Sequence, residues 1–261
     1  IVMGRQSSLG PFDPQMGGLF AVGDADKTGL MSVTRGLDPA LGLDLILHTP
    51  GGDTTATESL IVFLRNLFGI DIRVIVPQLA MSAGTMIACA AREIVMGRQS
   101  SLGPFDPQMG GIIPARAIRE EFARAARDIT ANPALAELWR PILAQYSPGL
   151  VVRAERAIEM ADEIALAGLT SGMFLGRPDA EARAQAVVRA LGSFAVTKTH
   201  GRHLERGTAR TLGLEVADLE ADPALEESVL SLYYACVLSF QQAGLLKIIE
   251  NHLGESYPLT A

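Results

Sequence analysis

LDLILHTPGGDTTATESLIVFLRNLFGIDIRVIVPQLAMSAGTMIACAAREIVM, residues Leu43 to Met96, is the stretch whose periodicity decides the fold. Leu43 to Leu47 is a run of strand length, apolar but for Asp44, ending in a Pro-Gly-Gly turn, the pattern of a parallel strand buried on both faces. Thr57 to Phe68 carries apolar residues at Leu60, Ile61, Leu64, Leu67 and Phe68, the spacing of one helix face. Ile72 to Val76 again reads as a strand, Ser82 to Ala91 as a helix of small residues, and Glu93 to Met96 as a short third strand. Strand, helix, strand, helix, strand with short links predicts an α/β fold with right-handed parallel crossovers.

Two turns in this stretch carry chemistry. Adjacent glycines Gly51 and Gly52 let a substrate carbonyl approach backbone N–H groups closely, because nothing projects from their Cα atoms. Thirty residues beyond Gly52, Ser82 stands at a strand-to-helix turn, where the helix N-terminus favours negative charge and Ala83 and Gly84 leave room for a substrate. A serine needs a base and fixed oxyanion donors to act as a nucleophile. The donors expected here are the N–H groups of Gly52 and Ala83. Taken alone, Ser82 reads better as a simple helix N-cap; the upstream glycine pair is what turns the reading toward the nucleophile.

DLILHTPGGD followed by VIVPQLAMSAGTMIACAAREIVMGRQSSLGPFDPQ resembles the ClpP/SppA clan of serine peptidases, and within it the serine dehydrogenase proteinase family. The resemblance covers most of Lys27 to Leu219, weakens in the middle and omits residues 1 to 18. It implies a ClpP/crotonase-like fold, a stacked β-β-α superhelix, with Ser82 as nucleophile and an oxyanion hole near Gly51 and Gly52. The chain departs from the ClpP pattern at the base. Asp106, in GPFDPQ, stands where ClpP-like chains carry histidine, and Lys198-Thr199-His200 stands where they carry the acid. The exchanged order Ser, Asp, His is the one the resemblance implies for the serine dehydrogenase proteinase family, and a triad is defined by geometry rather than order. The resulting assignment is Ser82 as nucleophile, His200 as general base and Asp106 as the residue orienting the imidazole. His203 is the reserve base, and Lys198 is the one plausible member of an SppA-like Ser-Lys dyad. His48 is expected to make a structural hydrogen bond at a strand end, and His252 to be solvated.

Beyond Met96 the pattern turns helical. Pro114 to Arg127, Ala134 to Tyr146 and Leu150 to Leu169 read as helices divided by Asn132-Pro133 and Ser147-Pro148-Gly149, a helical insertion or lid over residues 114–176. Ala180 to Leu191 and Glu205 to Leu212 are further helices, and Leu225 to Ile249 reads as a last helical region within 222–261. Its aromatics Tyr233, Tyr234 and Phe240 are expected in the core or at a subunit interface.

Residues 1 to 18 repeat residues 94 to 111 without a mismatch, after which the two copies diverge completely. A single perfect copy is unlike the drifting units of repeat folds and points to a recent segmental duplication or an artefact of gene assembly. The N-terminal copy is therefore expected outside the core, with residues 19–261 forming one domain. The chain begins with Ile1 rather than Met, compatible with the loss of a signal or anchor.

With 22 basic and 29 acidic residues the net charge is −7 and no basic cluster is present, which argues against nucleic acid as a partner. Cys89 and Cys236 lie in apolar helical contexts and are expected to be buried reduced thiols. No metal-ligand spacing and no phosphate loop is present, so no metal and no cofactor is expected. The composite expectation is a cytoplasmic serine peptidase, possible membrane association aside, that takes a peptide or protein substrate and assembles as a homo-oligomer. The rival readings are a crotonase-type acyl-CoA hydratase or isomerase, against which the Met81-Ser82-Ala83-Gly84 turn argues, and a non-catalytic assembly module.

Overall fold

The computed structural model describes residues 2–4, 21–110, 113–243 and 245–260. Its centre is a seven-stranded sheet built from β1 (Val2–Gly4), β2 (Leu43–His48), β3 (Ile72–Val76), β5 (Glu93–Met96), β10 (Val216–Asp218), β11 (Leu245–Glu250) and β12 (Ser256–Thr260). The spatial order is β10-β5-β3-β2-β1-β11-β12. β10 to β1 run parallel, and β11 and β12 close that edge antiparallel.

The strands are apolar because the sheet is covered on both faces. Val74 and Val76 join a large core with α1 (Asp24–Thr34), α2 (Thr54–Phe68), α3 (Ala83–Cys89), α6 (Leu150–Ser171) and α7 (Ala180–Gly192). Ile75 and Val95 point the other way and pack with Leu219 and with Val229 of α10 (Pro223–Ala243). Each fully buried valine or isoleucine contributes on the order of 1.5–3 kcal/mol. Short α3 is small-residue rich for the same reason: all seven of its residues are buried.

The middle of the chain forms α4 (Ala115–Ala131), α5 (Ala136–Leu143) and α6, with α4 packed on α6 through Ala115, Ile118, Ala154 and Ile158. A second, three-stranded sheet consists of β4 (Leu79–Ala80), β6 (Ser101–Leu102) and β9 (Leu204–Glu205). A short hairpin, β7 (Gln108–Met109) and β8 (Ile113–Pro114), leads into α4. The remaining helices are α8 (Phe194–Thr197) and α9 (Arg206–Thr211).

Two expectations are corrected. The last helix stops at Ala243, and Leu245–Glu250, read as its continuation, is strand β11; the 222–261 region thus ends in two strands. An apolar run such as LLKIIE does not declare its period, and pairing on both sides, to β1 and β12, decides it. Residues Val2–Gly4, expected with the rest of the N-terminal copy outside the core, lie in the sheet between β2 and β11. The internal copy of the same tripeptide overlaps β5 at Val95 and Met96, so one β-prone sequence fills two slots of one sheet. Residues 5–20, including Ser8 and Asp13, lie outside the described residues. No helix among the described residues is long and apolar enough to cross a membrane.

Candidate active site

Ser82 precedes α3 in a conformation that L-residues rarely adopt, φ 50° and ψ −109°. Such a backbone costs on the order of 1–3 kcal/mol and persists only where its surroundings hold it. Here they do. The segment before it pairs with the end of β2, Thr49 N–H donating to Leu79 O and Met81 N–H to Thr49 O, and Gly84 N–H turns back onto Met81 O at 2.8 Å. The Ser82 side chain makes no N-cap bond, so the plain capping reading has no hydrogen bond behind it.

The glycine turn is held as firmly. Val22 N–H donates to Gly51 O at 2.7 Å and Asp53 N–H to Val22 O at 2.9 Å, a bridge that brings the Val22 backbone onto Gly52. A Cβ on Gly52 would meet Val22 O at 2.2 Å, and one on Gly51, whose φ is 116°, would meet Ser82 Cβ at 2.7 Å. Both positions therefore require glycine, and the second shows how closely the turn lies against the serine. Behind Val22, Lys247 Nζ donates to Ala21 O at 2.6 Å and pairs with buried Asp26 at 2.8 Å. Gly51 N–H is spent on Thr49 Oγ1 and Gly84 N–H on Met81 O, which leaves Gly52 and Ala83 as the candidate oxyanion donors.

The small sheet gathers the three candidate residues at one end. β4 and β6 are parallel, so the segments following them, toward Ser82 and Asp106, leave on the same side. β9 is antiparallel to β6, so the segment preceding it, from His200, arrives on that side too. Ala80, Leu102 and Leu204 stand in one row across the sheet. Thr85 locks the arrangement: its buried Oγ1 lies 2.8 Å from both the Ala80 and Gly103 carbonyls and accepts from Gly103 N–H at 3.0 Å.

Asp106 is 2% exposed, and burial pushes its carboxyl up to about 6. Arg116, at the start of α4, pulls the other way, with Nε 3.4 Å from Oδ1 and its main-chain N–H at the same distance. The Asp106 main-chain carbonyl acts on the His200 imidazole, raising its pKa, but burial is the larger effect and holds His200 below its ordinary value. Asp106 Oδ2 and His200 Nδ1 are both buried without a hydrogen-bond partner. Ser82 Oγ forms no hydrogen bond to a described base.

A family description, ClpP-like SDH-type serine proteinase, matches residues 30–221, a span holding Gly51, Gly52, Ser82, Asp106 and His200. The chain belongs to this family. Two uncharacterized proteins of Methanocaldococcus jannaschii are similar to it, each 36% identical. One matches over 130 residues, 48% of this chain and 44% of its own length; the other matches over 105 residues, 40% and 35%. The chain thus aligns with less than half the length of either relative. No solved structure matches it.

The other sequence candidates of this SDH-type chain sit elsewhere in the network. His203 is exposed, with Nδ1 2.7 Å from Ser101 Oγ on β6. Lys198 is exposed at a left-handed backbone position, φ 67°. His48 is 4% exposed, its ring 5.2 Å from that of Tyr233 on α10, and burial pushes its pKa down to about 4. Its Nδ1 is buried without a hydrogen-bond partner, on a strand end covered by the Tyr233 ring. Cys89 and Cys236 are free and buried.

Three residues at the site escaped sequence reasoning. Thr49 and Thr85 are short polar side chains in apolar runs, where a buried hydroxyl must find backbone partners, and that was their one visible signal. Arg116 had none, because its role rests on the approach to Asp106 that the β7–β8 hairpin between them creates. Among the described residues no group of three His, Cys, Asp or Glu side chains is placed to hold a metal ion.

Proposed function

We propose that the chain is a serine peptidase that cleaves peptide bonds through a Ser82 acyl-enzyme, on a ClpP/crotonase-like β-β-α superhelix. The observation that carries this reading is the strained Ser82 turn packed on Gly51, with the segments of Asp106 and His200 at the same end of the small sheet. The succession β3–β4–α3 followed by β5–β6 supports the superhelix.

His200 takes the Ser82 proton as Oγ attacks the substrate carbonyl, and the tetrahedral oxyanion is held by the Gly52 and Ala83 N–H groups. Collapse expels the amine with the proton from His200, and water, activated by the same imidazole, releases the acid and restores Ser82. Asp106 orients the ring and stabilises its charged form. The two partnerless atoms, a carboxylate acceptor and an imidazole nitrogen, are complementary, and catalytic hydrogen bonds absent in a free enzyme form in its substrate complex. A homo-oligomer is part of the reading: α10 leaves Tyr234 and Leu238 60% and 53% exposed, an apolar surface suited to a second copy.

Hydrolysis of casein by the purified chain, beside Ser82→Ala and His200→Ala, tests the reading. Turnover lost in both variants supports it, and turnover retained by Ser82→Ala refutes it.

A further inference from the structure

The helical middle of the chain reaches into the site at one point. Arg116 is the second residue of α4 and is 15% exposed at its side chain. Its guanidinium lies between two carboxylates, with Nη2 2.5 Å from Asp162 Oδ1 on α6 and Nε 3.4 Å from Asp106 Oδ1. A Cβ on Gly192, at the end of α7, would meet Nη2 at 2.6 Å, so that helix confines the fork from another side. Arg116 Nε is itself buried without a hydrogen bond, as are Asp106 Oδ2 and His200 Nδ1. A buried polar group left unpaired costs about 1–3 kcal/mol, and two of these three atoms, Arg116 Nε and Asp106 Oδ2, belong to one ion pair. They mark a charge relay whose members are placed but not yet closed on each other.

We infer that Arg116 is a positioning residue of the proposed peptidase: from the helical insertion it keeps the Asp106 carboxyl ionised and held for His200, and Asp162 opposes it by drawing the guanidinium away. The inference rests on the reading of Ser82, His200 and Asp106 as the catalytic group. The charged groups acting on the Asp106 carboxyl are Arg116 and Arg119 of α4 and Asp162 of α6, while the Asp106 main-chain carbonyl acts on the His200 imidazole. Both arginines favour the carboxylate and Asp162 disfavours it. Removing Arg116 strengthens proton binding at Asp106 and at His200 alike, so the sign of the effect does not depend on which of the two takes the proton.

The experiment compares wild type, Arg116→Gln, Arg116→Lys and Asp162→Asn in two measurements. The first is the pH dependence of the rate of fluorophosphonate labelling. The second is the NMR titration of the Asp106 carboxyl carbon, assigned with Asp106→Asn. Arg116→Gln is expected to move the acid limb and the carboxyl titration upward by about one unit or more, the size of effect an opposite charge exerts at this distance. Arg116→Lys is expected to restore most of the shift, and Asp162→Asn to move both downward; the upward move in Arg116→Gln is the direction that loss of structure does not produce, because unfolding returns a carboxyl raised by burial toward its ordinary value. An Asp106 carboxyl that titrates unchanged in Arg116→Gln overturns the inference whether or not Ser82 labels. Equal loss of labelling at every pH in Arg116→Gln, with no displacement of the limb, also overturns it. Failure of the wild type to label at any pH overturns instead the reading on which it rests.

Discussion

Asp106 Oδ2 and His200 Nδ1 are buried without hydrogen-bond partners, while the Asp106 main-chain carbonyl acts on the His200 ring. The two residues are 94 positions apart in sequence, and the antiparallel pairing of β6 with β9 is what places their segments at one end of the small sheet. Each unpaired atom is a cost in folding, and in the proposed peptidase the pair has a use, the carboxylate orienting the imidazole.

Asp106→Asn should separate that cost from that use. Burial raises the Asp106 carboxyl to about 6, so the folded chain binds its proton more tightly than the unfolded chain. This contribution to stability is fully present below about pH 4 and is lost as pH rises through 6. At pH 7.5 the variant, which carries no buried charge, is expected to be more stable than wild type by on the order of 1–3 kcal/mol. It should nevertheless lose turnover by about a thousandfold or more, as orienting carboxylates do. Urea denaturation beside casein turnover checks both. A variant that is both less stable and fully active contradicts the assignment.

Gly52→Ala tests the oxyanion turn. The added Cβ would lie 2.2 Å from Val22 O, and both are backbone-fixed, so the turn must shift. Overpacking of this kind costs about 1–3 kcal/mol, and displacing one oxyanion donor costs about 10²–10³ in turnover. Thermal denaturation and turnover measured on one preparation should show a folded protein with greatly reduced rate. Wild-type turnover would remove Gly52 from the site.

His48 predicts an acid-sensitive stability. Burial lowers its pKa from 6.5 to about 4, so below pH 6.5 the unfolded chain takes up a proton that the folded chain refuses. Stability from this group is therefore full above about pH 6.5 and falls as pH drops toward 4, by about 3 kcal/mol in all. His48→Phe, which keeps an aromatic contact with Tyr233, should remove that part of the pH dependence. Urea midpoints at pH 7 and pH 4.5 measure it, and an unchanged difference between the two pH values would show that His48 is not the group responsible.

Much of this is legible in the sequence. The apolar runs at Leu43–Leu47 and Ile72–Val76 declare two-sided burial, and in the second run Val74 and Val76 prove to be buried on one face and Ile75 on the other. Gly51, Gly52 and Ser82 were visible because each occupies a backbone geometry with few permitted residues. LLKIIE was misread because neither its length nor its composition separates strand from helix, and its pairing partner β1 lies more than 240 residues away. Arg116 and Thr85 were invisible because their roles rest on contacts made only after folding, to Asp106 and to the Ala80 and Gly103 carbonyls.

The central claim is that Ser82 is the nucleophile. Its most direct test is peptide mapping of the chain after reaction with a fluorophosphonate, by mass spectrometry. The account predicts a single modified residue, Ser82, with the adduct lost in Ser82→Ala and strongly reduced in His200→Ala. Modification elsewhere, or an equal yield of adduct in Ser82→Ala, would contradict it.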